Sequence, residues 1–293
     1  MNLMPDSKVI IQGFCEFITA THVAQMKEYG TNLVAGVDPG WGGQELHDIP
    51  VFDLVEEVVG KFGAIDTTII NVHPYHVLDA ALEAIACGIR QIMIISPGVP
   101  PLDMVQLLRK AEMTETLVVG PNSPGIIVPG RILLGTQPSE FYTPGSVGIL
   151  SRSTTLTYEI ARELTKDGLG QSISVSIGSD AVVGSSFIQW LQILDEDENT
   201  QVIVLVGQPG GGREEAAARY IAEAIDKPVV AYIAGTQAPP VKHWRQTGTL
   251  AAVVGRDADF GTAKSKLTAL YEARVPVAER PSQIPELVRK ALR

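Results

Sequence analysis

Thr67-Thr68-Ile69-Ile70-Asn71-Val72, then Leu78, Ala81, Leu82 and Ile85 at positions i, i+3, i+4 and i+7, then Gly88 and Gln91-Ile92-Met93-Ile94-Ile95 together make one structural sentence. The outer runs are short, apolar and β-branched, the pattern of strands buried on both faces, and the middle spacing puts its apolar residues on one face of a helix. Gly88 stands where a left-handed helix end is expected. Short β-branched runs alternating with an amphipathic segment are the signature of parallel strands connected by a crossover helix. The unit is β-α-β, and the class it predicts is α/β.

The same alternation continues in both directions. Upstream, Val9-Ile10-Ile11 and the run 32–37 read as strands; downstream, Met104, Leu107, Leu108 and Ala111 repeat the helical spacing, with Asp103 expected as its N-cap, before Leu117-Val118-Val119. From Pro121 to Pro144 proline and glycine are dense enough to break helices and ladders, so the stretch is expected to lack regular structure. A second alternation follows, with strands over 147–150, 172–177, 202–206 and 229–233 and helices starting near Thr154, Ser185 and Arg213. A polar loop spans 236–248, then come apolar 250–254 and two further helices. The expected organisation is a first domain over 1–120, a linker over 121–145 and a second domain over 146–293.

Bulk properties narrow the function. The 293 residues are 45% hydrophobic and 19% charged, which suits filled cores rather than disorder. A net charge of −10 and a pI near 5.0 supply no general attraction to nucleic acid or anionic lipid. No apolar run reaches the roughly 20 residues that span a bilayer. Cys15 and Cys87 cannot form a disulfide framework, and the opening residues lack a secretory pattern, so a reducing cytoplasm is the expected compartment.

Several stretches carry a family resemblance in order and spacing: Gly36-Val37-Asp38-Pro39-Gly40 with Gly42-Gly43, Gly120-Pro121-Asn122-Ser123-Pro124-Gly125, Ser151-Arg152-Ser153-Thr154-Thr155-Leu156-Thr157-Tyr158-Glu159, and Lys227-Pro228-Val229-Val230 through Gly235. Across nearly its whole length the chain resembles the α subunit of succinyl-CoA synthetase. The resemblance implies a Rossmann-like domain that holds CoA, followed by a flavodoxin-like domain with a transiently phosphorylated histidine. It also implies a larger β subunit whose ATP-grasp domain brings nucleotide and Mg. The implied reaction joins a carboxylic acid to CoA through an acyl phosphate and a phosphohistidine.

Carried over residue by residue, the resemblance puts the CoA phosphates on the turn Gly13-Phe14-Cys15-Glu16-Phe17-Ile18-Thr19. There, backbone N–H groups and a helix N-terminus favour an anion if small residues let it approach. Gly13 fits, whereas Phe17 and Ile18 fill space and Glu16 brings a like charge. Two unit charges about 4 Å apart repel by roughly 4 kcal/mol at an effective dielectric of 20. Glu16 can equally be a solvated first-turn acid. Trp41 replaces the family lysine after Pro-Gly and is open to stacking on a base, meeting a partner, or lying on the surface. Ser96-Pro97 replaces a Thr-Glu turn, with Pro97 at the acid. Cys15 at a helix start reads either as a reactive thiol of lowered pKa or as a small buried side chain. Weakened or altered CoA binding is expected.

In the second domain, the family's phosphohistidine position falls on Gln246 and its glutamate partner on Gln208. A glutamine has no nucleophilic imidazole and cannot form a phosphoramidate. His243, three residues away, is the nearest imidazole available as a substitute. Ser153, Thr154 and Thr155 still offer hydroxyls and N–H groups at a helix start, with simple capping as the competing reading of Ser153. Tyr158 matches a substrate-contacting tyrosine and Asn122 is retained, while Ser123 stands where a cysteine is usual and Ser179 replaces a glycine. His73 and His76 flank Pro74-Tyr75 at a strand edge without an evident third metal ligand, and His22 and His47 read as structural. The expected protein is α-subunit-like, unable to run the ordinary phosphohistidine relay, and regulatory, scaffolding or altered in ligand. Its partner would be an ATP-grasp β-like chain, or else a second copy. The alternatives are a working ligase with histidine-independent transfer and a small-molecule sensor.

Overall fold

A computed structural model describes residues 3–15, 17–236 and 261–293. The chain divides into two compact units, one of residues 1–137 with 182–184 and one of residues 138–181 with 185–293.

The first unit begins with β1 (Val9–Gln12), α1 (Phe17–Tyr29), β2 (Leu33–Val37), β3 (Glu45–Leu46), β4 (Ile49–Phe52) and α2 (Val55–Phe62). It continues through β5 (Thr67–Ile70), α3 (Val77–Ala86), β6 (Gln91–Ile94), α4 (Pro101–Met113) and β7 (Leu117–Val119). The strands lie in the order β3-β4-β2-β1-β5-β6-β7, all parallel except the short β3. Without β3 this is the 3-2-1-4-5-6 order of a Rossmann-like sheet, whose topological switch lies between β1 and β5. The β-α-β unit expected over 67–95 is β5-α3-β6, and Gly88 follows α3 at φ +89°. The buried face of α3 centres on Val77, Ala81, Ala84 and Ile85. On α4 the buried positions are Met104, Leu107 and Ala111. Asp103 is not the cap expected of it: α4 starts two residues earlier, because Pro101 pre-sets φ for a first helical turn.

The stretch expected to lack regular structure contains an antiparallel hairpin, β8 (Gly125–Val128) and β9 (Ile132–Gly135). Its glycines permit this pairing rather than preventing it. Gly125 lies at φ +86°, and a Cβ there would come within 1.8 Å of the Leu134 carbonyl oxygen. The hairpin packs on α1. Leu133 donates its N–H to Thr31 Oγ1 (3.2 Å), whose hydroxyl donates back to the Leu133 carbonyl (2.7 Å), and the Gly130 N–H reaches Tyr29 Oη (2.9 Å).

The second unit contains β10 (Pro144–Ser151), α5 (Thr154–Lys166), β11 (Gln171–Ser176), α6 (Phe187–Glu196), β12 (Val202–Gly207), α7 (Arg213–Ala224), β13 (Val229–Ile233), α8 (Ala263–Glu272), β14 (Val277–Ala278) and α9 (Ile284–Ala291). These five strands are parallel in the order β14-β13-β12-β10-β11, the 2-1-3-4-5 arrangement of flavodoxin-like sheets read in reverse. The switch point falls between β10 and β12. The central strands are buried over 147–151 and 202–207, with Ile149, Leu150, Val204 and Leu205 each at 0% exposure.

Candidate functional site

Parallel strands end on one edge, so each sheet gathers its following loops there. In the first unit, that edge holds the Gly13 turn after β1, Asp38 to Gly43 after β2, Asn71 to His76 after β5, and Ser96-Pro97-Gly98 after β6. Gly13 is buried at φ +82°, its N–H donating to the Val37 carbonyl (3.0 Å). A Cβ there would lie 2.4 Å from the Asn71 carbonyl oxygen, which is why only glycine fits. Phe14 is completely buried against Gly36, and Cys15 donates its N–H to Asp38 Oδ2 (2.9 Å). Asp53 braces the next loop by accepting from the Gly40 (2.7 Å) and Gly42 (3.0 Å) amides.

Within this framework the expected residues separate. Partial burial first, then the Asp38 charge and hydrogen bond, push the Cys15 thiol up to about 11, which runs against the reactive reading. Phe17 is the first residue of α1. Trp41 is 47% exposed, so its ring is accessible from solvent, and Pro97 is exposed too. Ser96 is buried, with its hydroxyl donated to the Val72 carbonyl (2.6 Å), and Asn122 adopts φ +57° with its N–H on the Ser96 carbonyl (3.0 Å). Among the described residues of these loops there is no lysine or arginine. Glu16 lies outside the described residues. His73 and His76 stack edge-on at 5.9 Å, and among the described residues no group of three His, Cys, Asp or Glu could hold a metal ion. His22 is half-buried on α1, where desolvation holds its imidazole below the usual range.

In the second unit, the switch point brings together the β10-α5 turn and the β12-α7 loop. Ser153 is the N-cap of α5, its Oγ accepting the Leu156 N–H (3.3 Å). Ser151 Oγ accepts the Ser153 N–H (3.0 Å) and donates to the Ser153 carbonyl (3.1 Å), fixing the turn. Thr154 is half-buried and Thr155 exposed, both in the first turn, where backbone N–H groups lack intrahelical partners. Tyr158, one turn on, is half-buried with its ring 6.2 Å from Phe141. Gln208 follows β12 directly, and its N–H donates to Glu214 Oε1 (3.1 Å). His243 and Gln246 lie outside the described residues.

Sequence reasoning missed the charge cluster beneath these loops. Arg152 (1% exposed) donates from Nη1 to the Gly210 carbonyl (2.7 Å) and to Glu214 (3.2 and 3.4 Å). Lys266 (0% exposed) donates to the Gly211 carbonyl (2.6 Å), Glu214 Oε2 (2.6 Å) and Glu215 Oε2 (2.9 Å). The available signal was Glu214-Glu215 in the first turn of a helix, a place where acids are common for the helix dipole alone.

The two sheets in this order define a class of protein, a Rossmann-like unit followed by a flavodoxin-like one, and the comparisons give the class its family. The model of a CoA binding domain matches residues 4–98, and that of a CoA-ligase domain matches residues 150–275. The chain is 42% identical over 286 residues to an ADP-forming succinate–CoA ligase subunit alpha 2 of Archaeoglobus fulgidus, covering 98% of this chain and 97% of the relative. It is 43% identical over 290 residues to the corresponding alpha subunit of Aquifex aeolicus, covering 98% and 93%. ATP citrate lyase from Methanothrix soehngenii, solved with citrate and coenzyme A, shares the fold with a TM-score of 0.87 at 20% identity; all of this chain covers 50% of that one. The chain belongs to the succinate–CoA ligase alpha subunit family. No described helix is long and apolar enough to cross a membrane.

Proposed function

We propose that this chain is an alpha-type subunit that cannot run the phosphohistidine relay and whose CoA site is weakened or altered. The observation that carries the reading is Gln208. It stands at the end of β12 on the switch-point edge of the second unit, with its N–H fixed by Glu214, and presents a neutral amide where a carboxylate would orient an imidazole. Its counterpart Gln246 supplies no nucleophile. Loss of both members is coherent, since the acid's work is to hold and charge-balance the histidine.

The CoA site fits its ligand only in part. The Gly13 turn is tight enough for backbone to approach a phosphate, and α1 presents its N-terminus there. No described lysine or arginine of the edge loops adds charge, and Trp41 takes the position of a phosphate partner. CoA, when bound, would supply the thiol that receives the acyl group; Gly13, Ser96 and Asn122 would line its site. Ser153, Thr154, Thr155 and Tyr158 remain a site for an anion or an acid substrate. The protein acts in a complex with an ATP-grasp β-type chain that brings nucleotide and Mg, as a regulatory or scaffolding subunit. The first domain extends to about residue 120 and the second begins near residue 146, flanking the segment between them.

Incubation with labelled nucleoside triphosphate and a β-type partner tests the reading. The expected result is no acid-labile, base-stable phosphate on this chain; a stoichiometric label on His243 would overturn it. CoA binding by calorimetry should be weaker than about 1 mM, against about −8 kcal/mol for a micromolar site.

A further inference from the structure

The buried cluster of Arg152, Glu214, Glu215 and Lys266 does more than satisfy its own charges. Three backbone groups of one loop end on it: the Gln208 N–H on Glu214 Oε1, the Gly210 carbonyl on Arg152 Nη1 and the Gly211 carbonyl on Lys266 Nζ. The same Arg152 lies between Ser151 and Ser153, the two residues whose mutual hydrogen bonds set the start of α5. Lys266 enters from α8, a third element, and Glu215 is held in turn by the Ser265 hydroxyl (2.8 Å). Two positive and two negative charges therefore connect the β10-α5 turn, the β12-α7 loop and α8 with no net charge of their own.

Such a cluster is a poor device for stability alone, because desolvating four ions offsets most of their mutual attraction and apolar residues of equal volume often do as well. Its geometric effect is specific. Hydrogen bonds to charged partners are directional and fix backbone groups that glycines would otherwise leave free to turn. We infer that the Arg152–Glu214–Lys266 cluster is the positioning device of the second unit's anion cradle, holding the Gln208–Gly211 loop against the first turn of α5 so that the Thr154 and Thr155 N–H groups converge on one phosphate. The inference rests on the reading of that turn as an anion site and adds to it the side chains that preset it. Lys266 is the member whose tether to Gly211 can be removed with the Arg152–Glu214 pair left in place.

The test uses the full chain, inorganic phosphate as probe and backbone amide shifts at Ser153, Thr154 and Thr155 as readout, with thermal unfolding measured in parallel. Lys266→Met leaves an unbalanced buried carboxylate, so the charge-balanced double variant Glu215→Gln with Lys266→Met is the informative one. The expected result is a saturating phosphate response in the unaltered chain and a dissociation constant raised about tenfold or more in the double variant, as for other supporting residues of a binding site. The double variant should still unfold cooperatively. Equal phosphate affinity in the two proteins would overturn the inference alone. A flat titration of the unaltered chain would overturn the anion reading and the inference with it.

Discussion

Cys15 and Asp38 are joined across neighbouring loops of the first sheet's carboxyl edge, the Cys15 N–H donating to Asp38 Oδ2 at 2.9 Å. The carboxylate that steadies the turn also faces the thiol and, with burial, keeps it protonated. Iodoacetamide labelling at Cys15 should stay slow at neutral pH and accelerate only toward pH 11, with Cys87 replaced to isolate the signal. Because the folded pKa is raised above the unfolded one, this group's contribution to stability is complete below about pH 9 and declines between pH 9 and 11. Asp38→Asn keeps the acceptor for the Cys15 amide and removes the charge, so labelling should speed up at fixed pH. An unchanged rate would leave burial as the sole cause.

Gly13→Ala should cost about 2–3 kcal/mol of the first unit's stability in urea unfolding. It forces a side chain into a left-handed conformation and against the Asn71 carbonyl. Gly40→Ala is the control. It too has positive φ, at +91°, yet nothing lies within 4 Å of its added Cβ, and about 1–2 kcal/mol is expected. Equal losses would mean that the close approach at Gly13 is not what demands glycine.

Trp41→Lys should strengthen CoA binding about tenfold, since an ammonium regains the charge-assisted contact with phosphate that the edge loops otherwise lack. The side chain is 47% exposed, so the change should leave thermal stability within about 0.5 kcal/mol. Trp41→Ala separates loss of the ring from gain of charge. If alanine alone restores affinity, obstruction rather than missing charge is the defect.

The double change Gln208→Glu with Gln246→His should give the chain a phosphate label, acid-labile and base-stable, when a β-type partner and nucleoside triphosphate are present. The single change Gln246→His should label less, because no acid then orients the imidazole. A double variant that folds, binds the partner and stays unlabelled would show that more than these two residues has changed.

How far the sequence could be read depended on which interactions leave a local trace. Strands such as Leu117–Val119 and Val229–Ile233 were legible to the residue, because burial on both faces makes them uninterrupted apolar runs. The hairpin over 125–135 was not. Its proline and glycine content argues against regular structure, and the contacts that order it, from Thr31 and Tyr29, come from about 100 residues upstream. The short strands β3 and β4 were missed for a related reason: β3 is two exposed residues defined only by its pairing with β4, and β4 is a four-residue run containing Pro50 that is placed by its pairing with β2. At the candidate site, the positions of Gly13 in a tight turn and of Ser153 at a helix start were legible, and Gln208 was placed by the family pattern. Lys266 was not: a lysine on an amphipathic helix reads as solvated, and only the approach of Glu214 and Glu215 explains its complete burial.

The hairpin's attachment to Thr31 also has a temporal side. Leu133 and Thr31 are 102 residues apart, so the segment that covers this end of α1 leaves the ribosome long after α1 itself. At about 5–20 residues per second, roughly 5–20 s separate the two events. Through that interval Met26, which ends 1% exposed, and the rest of that helix face must wait uncovered on the nascent chain. The first unit is thus completed late in its own synthesis, and a chaperone that recognises apolar helix faces has a defined window in which to meet it.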